Sequence, residues 1–234
     1  MNQLSAALGS SMLQSTIDTP LNLAQLSAIT ESGDIFPTPS TQDESYLGWV
    51  NGGNLKGIKV EIVFDFLCPG CLIHLSQIPT CDGTGHFLNI FEYLAGIQVE
   101  GEAMTYLDAI DLRLTPFPYA HPHVTELTQV FFFLKHLCSE DASQCHMNDY
   151  MLFCFEYQGM VWDKKNDTYE QFYPLWSELV ANRFSLPEED IRAIFNPVTD
   201  EYGTLDSYDE IWWYGDAMDF DAIPWLLIND EEIG

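Results

Sequence analysis

Two cysteines separated only by Pro69 and Gly70 are the residues of this sequence best suited to chemistry. Cys68 and Cys71 come directly after residues 57–67, an apolar run rich in β-branched and aromatic side chains that predicts a strand. The helical pattern that follows places Cys68 at a helix N-terminus, where unpaired amide N–H groups and the helix dipole stabilise a thiolate. We therefore expect a lowered pKa for Cys68, which would make it the attacking thiol.

Pro69 and Cys71 fit the same interpretation. Pro69 suits a first helical turn because its missing N–H costs nothing there. Cys71 follows one turn after Cys68, within reach to close a disulfide or to release a mixed disulfide. Zinc sites and structural disulfides also use this spacing, but zinc needs about four ligands. The sequence has no second pair at this spacing, and neither His74 nor His146 stands at a recognised ligand spacing, so a redox pair is favoured.

Asp65 lies three residues before Cys68, near the end of the predicted strand. If the strand holds it beneath the cysteines, a buried carboxylate can accept a proton from Cys71 during exchange. The alternative is an ordinary strand carboxylate whose side chain reaches solvent. The sequence leaves both interpretations open.

The elements around this motif alternate in type. Strands are predicted at 57–67, 109–118 and 223–229, and a helix begins at the second cysteine and continues over 86–96 after a break. Between the second and third strands the pattern predicts a block of helices: 123–137, 148–162, 168–184, 187–195 and 208–218. This order is typical of an α/β fold with a helical insertion.

The domain organisation follows from the change in composition near residue 55. Residues 1–55 are poor in charge and rich in Ser, Thr, Gly, Asn and Pro, which predicts a partly ordered extension with one short helix at 21–29. Residues 56–234 form the predicted domain, and its helical insertion covers about 123–218.

The charge balance limits the partners. Lys and Arg total 8 and Asp and Glu total 36, for a formal net charge of −28. Nucleic acid and anionic membrane surfaces are therefore not expected partners, whereas cationic or unfolded chains are, unless the charge is only a solvated surface. No apolar run approaches the roughly 18 to 20 residues of a membrane span.

The cysteine count bears on the compartment. The chain has 6 cysteines, more than a reducing cytosol usually carries in a protein of this size, which slightly favours an oxidising compartment: secretory, lumenal or extracellular. Residues 1–16 contain no Lys or Arg and no continuous apolar core, so no signal peptide is predicted there. No dissociable cofactor is expected, since a cysteine pair carries the electrons itself.

Two distant segments together resemble a known family. FDFLCPGC at 64–71 resembles the active-site strand and motif of DsbA-type thioredoxin-fold oxidoreductases, and IPWLLIND at 223–230 resembles their cis-proline strand. The Pro-Trp pair is especially similar to gamma-interferon-inducible lysosomal thiol reductases. Segments 112–123 and 155–163 are similar to the intervening part of the DsbA group. The resemblance spans roughly 58 to 230 and implies a thioredoxin-like fold and a thiol–disulfide oxidoreductase acting on protein or peptide thiols.

The resemblance also implies a role for Pro224. It would be the cis-proline, which leaves the backbone at Ile223 free to pair with an extended substrate beside Cys68, with Pro69 and Gly70 bordering the same groove. From the residues alone, a trans proline at the start of a strand is equally consistent.

The remaining cysteines partly match a downstream motif of the thiol reductases. Cys138, Cys145 and Asn148 have its spacing, but residues 139–141 differ from it and the third cysteine is one residue too far along. A Cys138–Cys145 disulfide is the best structural hypothesis, and Cys81 and Cys154 either pair or stay free.

His121 and the aromatic clusters also have two interpretations each. His121 and His123 flank Pro122, and a solvated loop is favoured over a metal site. Residues 131–133 and 212–214 are expected to pack in a core or on a helix face, although an exposed aromatic patch near the cis-proline would suit unfolded client chains.

The C-terminal end departs from the family. Thioredoxin-like proteins continue after the cis-proline strand with another strand and a helix, but only five residues follow Asn229 here. The closing elements are therefore expected to be missing, shortened or supplied by the first 55 residues. The alternative function is a binding or chaperone-like module with an inert disulfide. The sequence indicates neither the oligomeric state nor whether the pair oxidises, reduces or isomerises its substrate.

Overall fold

The computed structural model describes residues 46–51, 58–80, 85–119 and 121–232. Its strands are β1 (Trp49–Asn51), β2 (Ile58–Phe64), β3 (Ile78–Pro79), β4 (Phe87–Leu88), β5 (Ile110–Pro116), β6 (Trp225–Ile228) and β7 (Glu231–Glu232). Its helices are α1 (Pro69–Ser76), α2 (Ile90–Gly96), α3 (Tyr106–Ala109), α4 (Val124–Glu140), α5 (Met147–Asp163), α6 (Tyr169–Phe184), α7 (Glu188–Ile194) and α8 (Thr204–Ala217), with a 3-10 turn at Ala142–Gln144. The helix predicted at 21–29 and Cys81 lie outside the described residues.

A five-stranded sheet in the order β1-β5-β2-β6-β7 forms the centre of the fold. β2 is parallel to β5 and antiparallel to β6, and the register sets Phe64 opposite Pro116 and Val63 opposite Trp225. Parallel neighbours need a crossover connection, and α1, α2 and α3 lie in it. The carboxyl ends of β2 and β5 therefore meet at the same sheet edge as the beginning of β6.

The helical insertion is the block α4 to α8, between β5 and β6. It shares one core with the sheet through aromatic contacts: the Phe66 ring meets Phe131 and Tyr150, with centroids 6.0 and 5.8 Å apart. Phe131, Phe132 and Phe133 are all buried, as the sequence predicted. This packing fixes the insertion against the end of β2, where the cysteine motif begins.

Short strands at both sheet edges differ from expectation. β1 lies inside the segment predicted as an extension and pairs antiparallel with β5. β7 pairs with β6 across a tight turn in which Asn229 and Asp230 have φ of 51° and 68°. Within the described residues β7 has two residues, and β1, from the segment before residue 55, forms the other edge of the sheet. The domain boundary at residue 56 stays a prediction.

The segment 86–96 was predicted as one helix, and this is wrong at its start. Phe87 and Leu88 pair with Ile78 and Pro79 in a separate two-stranded sheet. The helix α2 begins only after Asn89, whose side chain accepts hydrogen bonds from the amides of the first turn in a capping box with Glu92. Asn-x-x-Glu is the sequence signature of such a start, and the apolar pattern alone did not reveal it.

A disulfide joins Cys138, in the last turn of α4, to Cys145, just after the 3-10 turn. It is the pair that the sequence analysis favoured, and it closes the connection between α4 and α5. Cys154 is a buried free thiol on α5. Within the described residues, no helix has the length and apolar character needed to cross a membrane.

Candidate active site

The loop between β2 and α1 carries the cysteine motif. Cys68 is the N-cap of α1, with extended backbone angles, and its amide donates to the Asp65 carbonyl oxygen at 3.2 Å. Pro69 is the first residue of α1, and its side chain is exposed. A proline is tolerated in the first turn because the N–H that it lacks would have no partner within the helix. The strand, loop and helix therefore place Cys68 at the helix N-terminus, as the sequence analysis expected.

Cys68 and Cys71 are both free thiols in this structure and differ sharply in environment. Cys68 is 9% exposed, whereas Cys71 is fully buried. Hydrogen bonding from the Cys71 thiol, assisted by the backbone N–H groups of Cys71 and Gly70, lowers the pKa of Cys68 to about 6, against the opposing effect of burial. Burial, with the hydrogen bond to Cys68, raises the pKa of Cys71. At neutral pH one sulfur is a thiolate near the surface and the other a thiol beneath it.

Helix α5 of the insertion donates side-chain hydrogen bonds to the backbone of the cysteine motif. Gln158 donates hydrogen bonds from Nε2 to the carbonyl oxygens of Phe66, at 3.1 Å, and Cys68, at 3.2 Å. Trp162 donates from Nε1 to the Leu67 carbonyl oxygen at 3.2 Å. These bonds satisfy three carbonyls of a tight, buried turn, so the insertion helps to fix the position of Cys68.

The start of β6 lies directly against the cysteines. The Ile223–Pro224 peptide bond is cis, and the Ile223 carbonyl oxygen lies 3.6 Å from Cys68 Sγ. A Cβ atom added to Gly70 would sit 3.5 Å from both Cys68 Sγ and Pro224 Cδ, so the three residues are in close contact. The structure thus brings Ile223, Pro224 and Gly70 together at the thiolate, across more than 150 residues of chain.

Asp65 is fully buried, so the interpretation in which its side chain reaches solvent is wrong. Its carboxylate accepts hydrogen bonds from the amides of Leu67, at 2.6 Å, and Tyr119, at 2.8 Å. His121 Nδ1 lies 2.9 Å from the same carboxylate. The negative charge of Asp65 acts on both cysteines, where it opposes ionisation. Its use as a proton acceptor remains a proposal.

His121 is the site residue that the sequence analysis missed, since a solvated loop was predicted for it. Its ring is mostly covered and packs edge-on against Trp162, with centroids 5.3 Å apart. The hydrogen bond to Asp65 raises the pKa of His121, and the nearby Cys68 charge acts in the same direction. The signal that predicts this contact is topological: parallel neighbours bring the residues after β2 and after β5 to one edge.

His123 does not join His121. It stacks on Phe172 with ring centroids 3.9 Å apart, inside the helical insertion. No group of three or more His, Cys, Asp or Glu side chains that could hold a metal ion occurs in the part of the chain that the structure describes.

Comparisons with known proteins give a fold. No protein-family model and no curated protein matches the sequence. Among solved structures, BdbD from Bacillus subtilis is similar, with 16% identity and a TM-score of 0.51 over 80% of this chain and 84% of BdbD. MdbA, a thiol-disulfide oxidoreductase from Actinomyces oris, has 17% identity and a TM-score of 0.45 over 80% of each chain. MdbA from Corynebacterium diphtheriae has 13% identity and a TM-score of 0.45 over 75% of this chain and 77% of its own.

Of the structures named here, BdbD has a TM-score above 0.5, and its likeness therefore assigns the architecture. The match covers 80% of this chain and 84% of BdbD. At 16% identity it says nothing of substrate or activity. The chain therefore has a thioredoxin-like α/β fold. Its helical insertion lies between β5, the second strand predicted from the sequence, and β6, the cis-proline strand. This confirms the predicted fold class.

Proposed function

We propose that this protein is a thiol–disulfide oxidoreductase that acts on protein or peptide cysteines through Cys68 and Cys71. The observation that carries the proposal is the pairing of a stabilised, slightly exposed thiolate with a fully buried thiol one helical turn away. Exchange needs such an asymmetric pair, because one sulfur must attack a substrate while the other is held back. A structural disulfide needs no stabilised thiolate.

The proposed reaction has two exchange steps. The Cys68 thiolate attacks one sulfur of a substrate disulfide, so that a Cys68–substrate bond forms and the substrate disulfide breaks, releasing a thiolate. Cys71 then loses its proton and attacks Cys68 Sγ, which forms the Cys68–Cys71 disulfide and releases the second substrate sulfur. The substrate gains two electrons and the protein loses them. The same steps in reverse oxidise a substrate dithiol.

Asp65 is the proposed acceptor of the Cys71 proton. Burial and the interaction with Cys68 raise the pKa of Cys71, and the charge of the buried Asp65 carboxylate adds to this effect to a lesser extent. No solvent reaches the Cys71 thiol directly. His121 would assist as a positioning residue, since it holds the Asp65 carboxylate and is itself about one fifth exposed. Proton transfer by a positioned group of this kind typically contributes about 10²- to 10⁴-fold in rate.

The backbone at Ile223 and Pro224 is the proposed substrate-binding edge, with Gly70 and the exposed Pro69 opposite. These residues surround the exposed side of Cys68 Sγ. An extended substrate backbone beside Ile223 would bring its own sulfur to the thiolate. Gly70 suits this position because a larger side chain would extend into the space between Cys68 and Pro224.

The test is the redox equilibrium of the cysteine pair in glutathione buffers, read by thiol alkylation and mass spectrometry. We expect a reduction potential between about −270 and −120 mV, because a stabilised Cys68 thiolate favours the dithiol form. Cys68→Ser should abolish exchange, and Cys154→Ser should retain it, since Cys154 is buried on α5. A pair that resists reduction below about −300 mV would leave the alternative of a binding module with an inert bridge, and a pair that never forms a disulfide would contradict the proposed function outright.

A further inference from the structure

Trp212 and Trp213 were expected in a core or on a helix face, with an exposed aromatic patch as the alternative, and both lie on the surface. Trp212 and Trp213, on α8, are 44% and 68% exposed, while the buried face of that helix carries Thr204, Ile211 and Gly215. The Trp212 ring is not loose, because it stacks on Phe117 with centroids 5.6 Å apart and planes 11° from parallel. A large aromatic surface held in place but left open to solvent is unusual in a protein of this size and suits a ligand.

Carboxylates border these rings on both sides. Asp209 and Asp216 lie three or four residues from each tryptophan, which places them one helical turn before and after the pair. Both are exposed, and neither forms an ion pair with any cation in the described residues. The helix carries no cation of its own, since the sequence contains no Lys, Arg or His after Arg192.

An indole face between two carboxylates is suited to a cationic side chain. Ammonium and guanidinium groups bind over Trp rings by cation–π attraction, and a carboxylate within reach adds a charge-assisted hydrogen bond. We propose that the exposed face of α8 around Trp212 and Trp213 binds Lys or Arg side chains of the substrate chain, so that the enzyme selects cysteines near cationic residues. This inference rests on the proposed function for its substrate.

Ring contacts connect α8 to the candidate active site through the buried side chains of Phe117 and Phe220. Phe117 contacts Tyr119, with ring centroids 6.3 Å apart, and the Tyr119 amide donates to Asp65. Phe220 contacts Phe117 on one side and Trp225, the residue after Pro224, on the other, at 5.8 and 5.3 Å. A series of ring contacts therefore links α8 to the residues beside Asp65 and the cis-proline. The proposal requires an extended substrate segment long enough to contact the tryptophans while its cysteine meets Cys68.

The occupant is a different protein for reasons of charge. Residues 1–45 of this chain contain no Lys or Arg, so they carry no side chain of the required kind. A second copy would bring a further net charge of −28 to an acidic face, which opposes self-association. A cationic substrate segment meets neither obstacle.

The experiment separates binding from exchange. Two peptides carry one cysteine as a glutathione mixed disulfide and differ only in two Lys or two Glu residues beside it. Binding is measured by calorimetry to the Cys68→Ser/Cys71→Ser variant, and exchange with the wild-type protein. We expect the Lys peptide to bind about tenfold more tightly at low salt and to lose most of that advantage at about 0.5 M salt.

Substitutions on α8 test which residues produce the preference for the Lys peptide over the Glu peptide. Asp209→Asn/Asp216→Asn should remove most of the preference for Lys, and Trp213→Ala should weaken binding of the Lys peptide several-fold. The matched control is Glu156→Gln/Glu178→Gln, which removes two exposed carboxylates from α5 and α6 and should keep the preference. Equal binding of the two peptides, or an equal loss in the control, would overturn the inference. If the Lys peptide binds as expected but no peptide is exchanged, the proposed function fails and the α8 surface stands.

Discussion

Cys68 combines near-burial with a stabilised charge, and this combination defines the chemistry available to the molecule. Most sulfurs that are 9% exposed would be held neutral by desolvation. Here the Cys71 thiol and two backbone amides outweigh that cost. The thiolate therefore depends on its neighbour, and the attacking character of Cys68 belongs to the pair rather than to one residue.

The first prediction concerns the pH dependence of Cys68 reactivity. The rate of its alkylation by iodoacetamide should rise with pH through about 6 and level off near pH 7, because the thiolate is then fully formed. Cys71→Ala should move the midpoint upward, since it removes the main hydrogen-bond donor to the thiolate. Mass spectrometry of the labelled peptide gives the rate at each pH. A midpoint near 8.5, the ordinary value for a free cysteine, would contradict the proposed activation.

The second prediction tests Asp65. Asp65→Asn should slow the attack of Cys71 on a mixed disulfide by about tenfold or more, because the proposed proton acceptor is lost. The first attack by Cys68 should change little, since its thiolate is already formed at neutral pH before the Asp65 charge is removed. Rapid acid quenching and mass spectrometry of the trapped mixed disulfide measure the two steps separately.

His121 provides the control for this prediction. His121→Ala should slow the same second step to a smaller extent, and His136→Ala, an exposed histidine on α4, should leave it unchanged. If Asp65→Asn slows both steps equally, the carboxylate has a structural role only.

At the scale of elements, α8 packs closely against Phe117, the residue that follows β5. A Cβ atom built on Gly215 would lie 2.0 Å from the Phe117 ring, so this glycine is what lets the helix reach the sheet. The same contact supports Trp212 on the surface and Tyr119 beside Asp65. The position of α8, which carries the proposed substrate surface, therefore depends on the small size of Gly215.

The third prediction follows from this contact. Gly215→Ala should lower the free energy of unfolding by about 1–3 kcal/mol, because the Phe117 ring has to move. Gly159→Ala, on the exposed side of α5, has no atom within 4 Å of the new Cβ and should raise it by about 0.5–1 kcal/mol through helix propensity. Urea denaturation of both variants measures the difference. A neutral or stabilising effect at Gly215 would show that α8 can shift freely.

Glu126, in the first turn of α4, gives an element-scale prediction for stability. It is 2% exposed, its Oε2 atom has no hydrogen-bond partner among the described residues, and His123 Nδ1 lies 3.9 Å away. Burial raises the pKa of Glu126 to about 7. The nearby side chains of Tyr173 and His123 do not fully offset the free-energy cost of burying an ionised Glu126 carboxylate.

The sign of the pH effect on stability follows from the linkage between proton binding by Glu126 and folding. A carboxyl whose pKa is raised on folding stabilises the protein below its unfolded pKa, near 4.5, and that stabilisation is lost as pH rises through about 7. Glu126→Gln should therefore be nearly neutral at pH 4.5 and should stabilise by about 2 kcal/mol at pH 8. Thermal unfolding across this pH range, with exposed Glu178→Gln as control, checks the prediction. A pH-independent effect would contradict it.

The whole molecule is dominated by its acidity. A net charge of −28 in a chain of 234 residues leaves most carboxylates without a cation, and self-repulsion opposes the folded state. The few ion pairs in the described residues, such as Arg113 with Asp111, satisfy particular sites and do not alter this balance.

The fifth prediction concerns salt. Raising NaCl from about 0.05 to 0.5 M shortens the Debye length from about 14 to 4 Å, so the melting temperature should rise by several degrees. The effect should shrink as pH falls toward the isoelectric point near 4.1, where the net charge vanishes. Calorimetry or fluorescence melting measures it. A melting temperature that falls with salt at neutral pH would show that attractive pairs dominate instead.

Local pattern in the sequence accounts for much of what the structure contains. The strands β2, β5 and β6 and the helices α4 to α7 match their predicted ranges closely, because their apolar runs and the Pro, Gly and polar residues that bound them are local features of the sequence. The position of Cys68 at a helix N-terminus is local too, since strand, proline and helix follow one another in the chain. The pairs β3–β4 and β6–β7 were not predicted, because two-residue strands have no period to detect.

Only the tertiary structure decided the contacts that make a site out of the motif. His121 reaches Asp65 because parallel β2 and β5 end at one edge, and Ile223 reaches Cys68 because β6 pairs with β2. The exposure of Trp212 and Trp213 was decided in the same way, since Gly215 and not the tryptophans faces the sheet. Residue type and spacing therefore determined which chemistry the chain carries. The residues that contact Asp65 and Cys68 lie 56 and 155 positions away in the sequence. These contacts depend on how separate elements pack, which local periodicity does not encode.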